Sequence, residues 1–270
     1  MAANTEYLFH GLEIGVRRTS GSRALRVVHP AAQIIASHRH DWPLLTLPLL
    51  GGYDEECDDR PVSVQGPAVV LHPPGRCHAN CIHARGMETF SIEFDPAWLR
   101  DDSLKSKLDR SYYWVGGRVA LAGRSLARMW AERHANETEL QNATASFLRM
   151  ATAVAPKPSP AWLRQARERL ESSARTTAID LARELGLNPR WLAHAYRTLT
   201  GEGVHETLRR RRVEQAVQLL RSSDQAIAEV ADECGFCDQS HLNRALRLLT
   251  GRTPVQIRAE REPLRQLIAG

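Results

Sequence analysis

One helical pattern occurs twice near the C-terminal end of this chain of 270 residues, and its copies begin fifty residues apart, at Arg190 and Ser240. In each copy the apolar residues recur at i, i+3, i+4 and i+7, which places them on one side of an α-helix. These positions are Leu192, Ala195, Tyr196 and Leu199 in the first copy and Leu242, Ala245, Leu246 and Leu249 in the second. The chain is therefore predicted to contain two amphipathic helices packed in equivalent surroundings.

The opposite side of each helix carries small residues and hydrogen-bond donors. The residues on this side are Arg190, Ala193, His194 and Arg197 in the first copy and Ser240, Asn243, Arg244 and Arg247 in the second. A short exposed helix with such side chains is the element that reads base edges in a DNA major groove. We therefore predict that these eight residues contact DNA, with Arg197 and Arg247 holding phosphates and the others facing the bases.

A second short helix and a tight turn precede each copy. Residues 178–186 match residues 227–235, and both segments end in a glycine, Gly186 and Gly235, that can adopt the left-handed conformation of a helix terminus. The pattern predicts two helix-turn-helix units. A continuous helix from Val204 to Leu220 lies between them, and its length of roughly 26 Å suits two reading helices about 34 Å apart, one turn of B-DNA.

Residues 235–258, GFCDQSHLNRALRLLTGRTPVQIR, resemble the signature of AraC/XylS-type bacterial transcription regulators. The resemblance covers about residues 161–262 and implies a seven-helix module that grips two successive major grooves of double-stranded DNA, with RNA polymerase as a possible partner. Leu242 and Leu246 stand where the family more often has Phe, and His194 stands where it often has Arg. An all-α solenoid is the alternative fold, but solenoids need at least three repeats.

Charge is distributed unevenly along the chain. From residue 161 onward there are 18 Arg, no Lys and 14 acidic residues, whereas residues 1–160 hold 18 basic and 17 acidic residues. Arginine makes bidentate contacts with guanine edges and phosphates, so the more basic C-terminal part fits a nucleic-acid partner.

The five cysteines are an odd number, which argues against a disulfide framework and fits a reducing cytoplasm. Cys234 and Cys237, with His241 nearby, have the spacing of a metal clip or a redox pair; we interpret them instead as small residues of a helix-turn-helix core. No signal peptide or long apolar run is visible, so we expect a cytoplasmic protein without membrane association.

The sequence predicts an α+β chain of two domains. Residues 1–115 form a sensor domain, 116–154 a helical pair, 155–160 a Pro-rich linker and 161–265 an all-α DNA-binding domain. The second helix of the pair opens with a capping box between Asn136 and Glu139. The family resemblance implies that this pair forms the interface of a homodimer.

Residues 7–95 contain short β-prone runs at 33–37, 44–50, 61–64, 68–71 and 89–94, separated by turn residues, which predicts a small β-barrel or sandwich. His38-x-His40 and the segment from Pro73 to His78 resemble the two motifs of cupin barrels. The glutamate expected shortly after His40 is absent, and the second motif is displaced by one residue.

Two interpretations of these histidines remain open. His38, His40 and His78 would form a three-nitrogen site for a divalent transition metal that leaves positions open for an effector, or they would line an effector pocket without metal. A strand would place His38 and His40 on one face. We interpret the chain as an effector-responsive activator and not an enzyme. The alternatives are a metal-dependent cupin enzyme, with Glu55, Glu56 or Glu93 as acid or base, and a regulator controlled by a protein partner.

Overall fold

The computed structural model describes residues 10–57, 60–99, 101–132, 134–154, 160–172 and 176–269. The chain forms two compact units, Met1–Lys157 and Pro158–Gly270. The predicted Pro-rich linker at 155–160 lies outside the described residues except for its last position.

The first unit contains an eight-stranded antiparallel sheet. Its strands are β1 (Leu12–Arg18), β2 (Ser22–His29), β3 (Ile34–His38), β4 (Leu44–Cys57), β5 (Arg60–Gln65), β6 (Ala68–His72), β7 (His78–Phe94) and β8 (Tyr112–Val115). The order across the sheet is β1-β2-β7-β4-β6-β8, with β3 paired to the first part of β7 and β5 to the last part of β4. The long strands β4 and β7 therefore change partners along their length. β4 pairs with β6 and then with β5, and β7 pairs with β3 and then with β2.

Two glycines allow the long strands to approach each other where they change partners. Gly51 and Gly86 have φ of +69° and +72°, and the β4–β7 register shifts beside Gly51. A Cβ atom on Gly51 would lie 2.0 Å from the carbonyl oxygen of Gly86, so only glycine fits there. The irregularity lets β4 change partners from β6 to β5.

The two faces of this sheet have different surroundings. On β7, Phe90, Ile92 and Phe94 belong to a buried apolar core, whereas the intervening Thr89 and Ser91 line a polar pocket. The apolar core also holds side chains of α2 (Gly117–Ala131) and α3 (Glu137–Thr152). The apolar face of the sheet therefore packs against two helices, and its polar face lines the pocket.

The helices α2 and α3 coincide with the predicted helical pair. The Asn136 side chain accepts a hydrogen bond from the Glu139 backbone N–H, and the Glu139 carboxylate accepts one from the Asn136 N–H. Arg17 of β1 donates to backbone carbonyls at the end of α2 and in the turn after it, including that of Trp130 at 3.1 Å. A short 3₁₀-helix (Pro96–Trp98) and α1 (Asp102–Lys105) connect β7 to β8.

The second unit is entirely helical in its described residues. Its helices are α4 (Ala161–Ser172), α5 (Ala178–Glu184), α6 (Pro189–Thr200), α7 (Val204–Ser222), α8 (Ile227–Glu233), α9 (Gln239–Thr250), α10 (Pro254–Ala259) and α11 (Arg261–Ala269). The predicted connecting helix is α7, which extends two residues beyond Leu220. None of the described helices has the length and apolar composition needed to cross a membrane.

Candidate nucleic-acid interface and histidine pocket

The turns before α6 and α9 have the same hydrogen bonds. In the first turn, Gly186 N–H donates to Arg183 O at 3.2 Å and Leu187 N–H to Ala182 O at 2.9 Å. In the second, Gly235 N–H donates to Asp232 O at 2.9 Å and Phe236 N–H to Ala231 O at 2.9 Å. Both glycines are left-handed, with φ of +64° and +74°. The sequence repeat is therefore a repeat of backbone structure.

The ends of α6 and α9 are also equivalent. Asn188 and Asp238 accept backbone hydrogen bonds at the two N-termini, as predicted from their residue types. At the C-termini, Gly201 and Gly251 are left-handed, with φ of +81° and +73°. These caps fix the first and last turns of each reading helix. The backbone that carries the exposed side chains is therefore equivalent in the two helices.

Seven of the eight predicted DNA-contacting residues are exposed in the second unit. Arg190, Ala193, His194 and Arg197 are exposed on α6, and Ser240, Arg244 and Arg247 are exposed on α9. Asn243 is half-buried, and its Oδ1 has no hydrogen-bond donor among the described residues. On the other side of the helices, Leu192, Tyr196, Leu242 and Leu246 are buried. Each helix therefore presents the predicted polar face to solvent.

The arginines on these faces differ in their partners. Arg197 lies 3.3 Å from the carboxylate of Glu206 on α7, and both side chains remain exposed. Arg190, Arg244 and Arg247 make no ion pair within the described ranges. These three guanidiniums are therefore available to a polyanion.

A buried charge network holds α7, the helix that connects the two helix-turn-helix motifs. Arg210 bonds Glu202 at 2.9 Å and Glu214 at 2.7 Å, and Glu214 also accepts from Arg211 at 3.0 Å. Burial alone lowers the pKa of Arg210, but the charges of Glu202 and Glu214 outweigh it and raise that pKa. Two arginines of the basic run at 209–212, Arg210 and Arg211, are therefore buried in ion pairs inside the second unit. The spacing in the sequence did not predict this.

Trp191 is an exposed aromatic residue that the sequence analysis did not select. It follows Arg190 on α6, is 48% exposed, and packs edge-on against Trp162 of α4 with the ring centroids 5.2 Å apart. The signal available in the sequence was a tryptophan that lies outside the apolar stripe of an amphipathic helix.

In the first unit the structure brings His38, His40 and His78 together. His38 ends β3 and lies opposite His78 at the start of β7, with the ring centroids 4.3 Å apart. His40 lies 5.2 Å from His38 and 5.5 Å from His78 by the same measure. The prediction that His38 and His40 share a strand face was wrong, because β3 ends at His38. His40 reaches the cluster from the following loop, where its carbonyl accepts from Gly75 N–H.

Each of these imidazoles is anchored through Nδ1. His38 bonds Ala36 O at 3.0 Å, His78 bonds Arg76 O at 3.2 Å, and His40 bonds Glu93 Oε1 at 2.8 Å. Carbonyl and carboxylate oxygens only accept, so Nδ1 carries the proton and Nε2 keeps a lone pair. The potential ligand atoms of the three residues lie within 4.8 Å of one another. Metal-binding histidines are oriented by such partners, so these residues fit a divalent transition metal.

The electrostatics of the cluster keep two of its imidazoles neutral. Burial lowers the pKa of His38 to about 4, with smaller contributions from neighbouring histidines. Burial also lowers the pKa of His78 to about 2, and the charges of His72 and His38 add to this effect. A neutral imidazole is the form that coordinates a metal, so neither needs to lose a proton at neutral pH.

A second group of polar side chains extends the pocket beyond His78. The His72 ring stacks on His78 with the centroids 4.3 Å apart, and its Nε2 lies 3.2 Å from Glu55. Tyr113 donates to the other Glu55 oxygen, and Ser111 lies 3.0 Å from His72 Nδ1. The potential ligand atoms of Glu55, His72 and His78 also lie within 4.8 Å of one another, close enough to hold one metal ion.

The carboxylates missing from the sequence motif come from distant strands. Glu93 reaches His40 from the end of β7, and Glu55 reaches His72 from the end of β4. Burial raises the pKa of Glu93, but hydrogen bonds from His40 and Arg23 outweigh it and lower that pKa. The sequence analysis considered both glutamates only as acids or bases. The signal for Glu93 was the alternation of Thr89, Ser91 and Glu93 with three aromatic or aliphatic residues.

The pocket lined by these histidines is small. Its volume is about 40 Å³, enough for an ion with a few waters, whereas pockets for organic ligands measure roughly 300–1,000 Å³. All five cysteines are free, with Cys234 buried and Cys237 exposed. No metal-competent cluster among the described residues includes a cysteine.

Comparison with known proteins identifies the second unit. Residues 181–260 match the family model described as a helix-turn-helix domain. The second unit contains an AraC-type helix-turn-helix domain. The matched range begins in α5 and extends to the end of α10, so it includes both turns and both reading helices. The type of domain supports a role in DNA binding.

Two curated relatives each match a part of the chain of similar length to this domain. The HTH-type transcriptional regulator YijO of Escherichia coli (strain K12) is 32% identical over 84 residues, which are 31% of this chain and 30% of that protein. The HTH-type transcriptional regulator GlxA of Rhizobium meliloti (strain 1021) is 35% identical over 78 residues, 29% of this chain and 24% of that protein. The matches therefore span less than a third of these relatives.

A solved structure of ToxT from Vibrio cholerae aligns with 92% of this chain and 98% of its own, with 12% identity and a TM-score of 0.38. The helix-turn-helix domain is consequently the part of the chain on which a functional assignment rests, and the first unit has to be judged from its own residues.

Proposed function

We propose that this protein is a sequence-specific regulator of transcription that acts as a homodimer in the cytoplasm, where its five free cysteines stay reduced. The observation that carries the proposal is the repeated helix-turn-helix geometry, with matching turns and caps and an exposed donor face on each reading helix. The α7 helix has 19 residues, roughly 28 Å, which suits two helices placed in successive major grooves.

We assign base contacts to Arg190, Ala193 and His194 on α6 and to Ser240, Asn243 and Arg244 on α9. Arg197 and Arg247 lie closer to the C-terminal ends of these helices and are assigned to phosphates. Arginine donates two parallel hydrogen bonds to guanine, so Arg190 and Arg244 would each favour a guanine in their half-site. His194 accepts or donates according to its tautomer, which gives the first half-site a different preference.

The first unit is proposed to be a sensor of cupin-like architecture. His38, His40 and His78 would hold a divalent transition metal through their Nε2 atoms, and this ion would supply open coordination positions to an effector. The anchored Nδ1 atoms and the small pocket support an ion in preference to a bulky organic molecule at this place. The helices α2 and α3 would form the dimer interface, and the ligand-bound dimer would activate transcription in contact with RNA polymerase.

An enzymatic role for the first unit has weaker support. A pocket of about 40 Å³ does not admit an organic substrate beside a metal ion. The relatives are described as regulators. Control by a protein partner would not explain the histidine cluster, so we favour the metal-containing sensor over this alternative.

The proposal is tested by selecting the full chain on a random pool of duplex DNA. The expected product is a bipartite motif whose half-sites have centres about 10 base pairs apart. Arg190→Ala should relax the preference in one half-site and Arg244→Ala in the other. The matched control is Arg110→Ala, an exposed arginine of the first unit outside α2 and α3. A selection without sequence enrichment, or motifs unchanged in both variants, would overturn the proposal.

A further inference from the structure

A cleft of about 390 Å³ is lined in part by Glu93, whose carboxylate also bonds His40 of the histidine pocket. One oxygen of Glu93 accepts from His40 at 2.8 Å, and the other accepts from Arg23 at 2.6 Å in the wall of the cleft. The volume lies within the range of pockets that hold small organic ligands, roughly 300–1,000 Å³. The cleft therefore has the size that the histidine pocket lacks.

The strand register places a row of charges along one wall of the cleft. Arg18 of β1 lies directly opposite Arg23 of β2, and Arg23 lies opposite Glu93 of β7. Residues directly opposite in an antiparallel sheet project on the same face, and like charges there destabilise the sheet. Glu93 neutralises Arg23, whereas Arg18 makes no ion pair among the described residues. The row thus has one uncompensated positive charge.

The loop after His40 contributes two further residues to the lining of the cleft. Asp41 is exposed and makes no ion pair in the part of the chain that the structure describes. Trp42, next to it, lines the same cleft and is 39% exposed, an unusual position for a large aromatic side chain. The cleft therefore offers a cation, an anion and an aromatic surface within one volume.

We propose that this cleft binds a small zwitterion of the amino-acid class with an apolar or aromatic side chain. The carboxylate of the ligand would bind Arg18, its ammonium group would bind Asp41, and its side chain would pack on Trp42. A zwitterion satisfies both charges at once, whereas a simple anion would leave Asp41 facing its own carboxylate. The statement that this ligand is the effector rests on the proposed function, whereas the binding site itself does not depend on that function.

Two sets of contacts connect the cleft to the rest of the first unit. Ser20, in the turn that forms part of the cleft, donates from its backbone N–H to Glu137 at the first position of α3 at 3.0 Å. On the other side, Arg23, Glu93 and His40 form a continuous chain of hydrogen bonds to the histidine cluster. A ligand that binds Arg18 and displaces this turn would therefore act on the helical pair and on the metal ligands together.

The test is calorimetric titration of the full chain, without DNA, with L-phenylalanine, L-tryptophan and L-leucine. Two analogues of phenylalanine separate its charges: 3-phenylpropionate keeps the carboxylate alone, and phenethylamine keeps the ammonium group alone. We expect at least one amino acid to bind and its single-charge analogue to bind at least about tenfold more weakly, a difference of about 1.4 kcal/mol. Arg18→Met, Asp41→Asn and Trp42→Ala should each weaken binding by a similar factor, and Arg118→Met on α2 should not.

The proposal is overturned if none of the three amino acids binds in the millimolar range. It is also overturned if 3-phenylpropionate or phenethylamine binds as tightly as phenylalanine, or if the three cleft variants bind like the Arg118→Met control. Circular dichroism of each variant checks that the fold persists. A gel shift with and without the amino acid then tests its role as effector separately, since binding without a change in DNA affinity leaves the site standing and removes the regulatory role.

Discussion

Arg210 donates from Nη1 to Glu214 Oε1 at 2.7 Å, one turn further along α7, and both side chains are almost fully buried. Glu202 binds the same guanidinium from the other side and also accepts from the Thr207 hydroxyl, whose oxygen lies 3.2 Å from the Tyr196 hydroxyl of α6. The first reading helix is therefore attached to the central helix through a polar interior. Breaking this network should affect stability more than any exposed arginine does.

Arg210→Ala removes the cation that two buried carboxylates share, and of these Glu214 keeps its ion pair with Arg211. Removal of one partner from a buried ion pair costs about 3–5 kcal/mol of unfolding free energy. Urea denaturation followed by circular dichroism should show this loss in the helical signal. The neighbouring Arg209 is exposed, so Arg209→Ala should stay within about 0.5 kcal/mol of the parent chain. Equal stability of the two variants would mean that the buried network does not hold the unit.

Arg244 and Arg247 should differ in the kind of affinity they provide. Arg244→Ala should cost about 1–3 kcal/mol at one position of the DNA site and relax its base preference. Arg247→Ala should weaken all sequences alike and reduce the salt slope by about one unit. Both variants are titrated against a series of base-substituted sites at several salt concentrations. A uniform loss for Arg244→Ala would show that it holds a phosphate instead.

The histidine cluster makes a prediction about metal content. The full chain, purified without a histidine tag after growth in metal-supplemented medium, should carry a divalent transition metal that His38→Ala and His78→Ala each remove. Glu93→Gln should weaken metal binding about 10–100-fold, because it orients His40 without being a ligand. The measurement is elemental analysis with a competing chelator. Less than about a tenth of an equivalent in the parent chain would leave these histidines as pocket walls.

The stability of the first unit should depend on the protonation of His29. Burial lowers the pKa of His29 to about 4, against opposing hydrogen bonds from Gln33 and His10 and with added effects of the charges of His10 and His38. The unfolded chain takes up this proton at about pH 6.5. Stability is therefore complete above that pH and falls as the pH drops toward 4, by about 3 kcal/mol in all.

Amide hydrogen exchange in β2, at pH 7 and pH 4.5, measures this loss. His29→Gln should show a smaller decrease in protection between the two conditions, because no proton is taken up at that position on unfolding. The exposed His134 provides the control, and His134→Gln should behave like the parent chain. An unchanged pH dependence in His29→Gln would contradict the assignment.

The two cysteines of the second unit should react at very different rates. Cys234 is buried, and burial raises the pKa of its thiol to about 12, with a further effect of the Glu233 charge, so only about one molecule in ten thousand is a thiolate at pH 8. Cys237 is exposed. Iodoacetamide labelling followed by peptide mass spectrometry should modify Cys237 first. Equal labelling would indicate that the turn before α9 opens readily.

The second unit could be predicted from the sequence because its information is local. The caps at Asn188 and Asp238, the left-handed Gly186 and Gly235 and the apolar stripe of each helix all depend on neighbours a few residues away. The helix-turn-helix domain was confirmed on this basis, whereas the assigned DNA contacts stay a prediction. Local patterns did not predict the burial of Arg210, because this burial depends on an ion pair with Glu202, which lies outside α7.

The first unit was predicted less completely. The five expected β-runs lie in strands, but β1, β2, β8 and the first half of β7 were missed. Charged and polar residues on an edge or a pocket face interrupt the apolar alternation of β1, β2 and β7, and β8 has only four residues. The cluster of His38, His40 and His78 was predicted as a group. Its geometry was not, since β3 ends before His40 and the carboxylates of Glu55 and Glu93 arrive through strand register, which sequence spacing does not encode.

The pairing of β2 with β7 has a consequence for how a newly made chain folds. Ser22 pairs with Phe94, so β2 waits for a partner that the ribosome adds about 70 residues later, at roughly 5–20 residues per second. The helices of the second unit close much shorter loops and should form quickly once they emerge. The half of the chain made first is thus the half that takes longer to complete. A nascent chain would then carry the first residue of β2 without its partner for roughly 4–14 seconds.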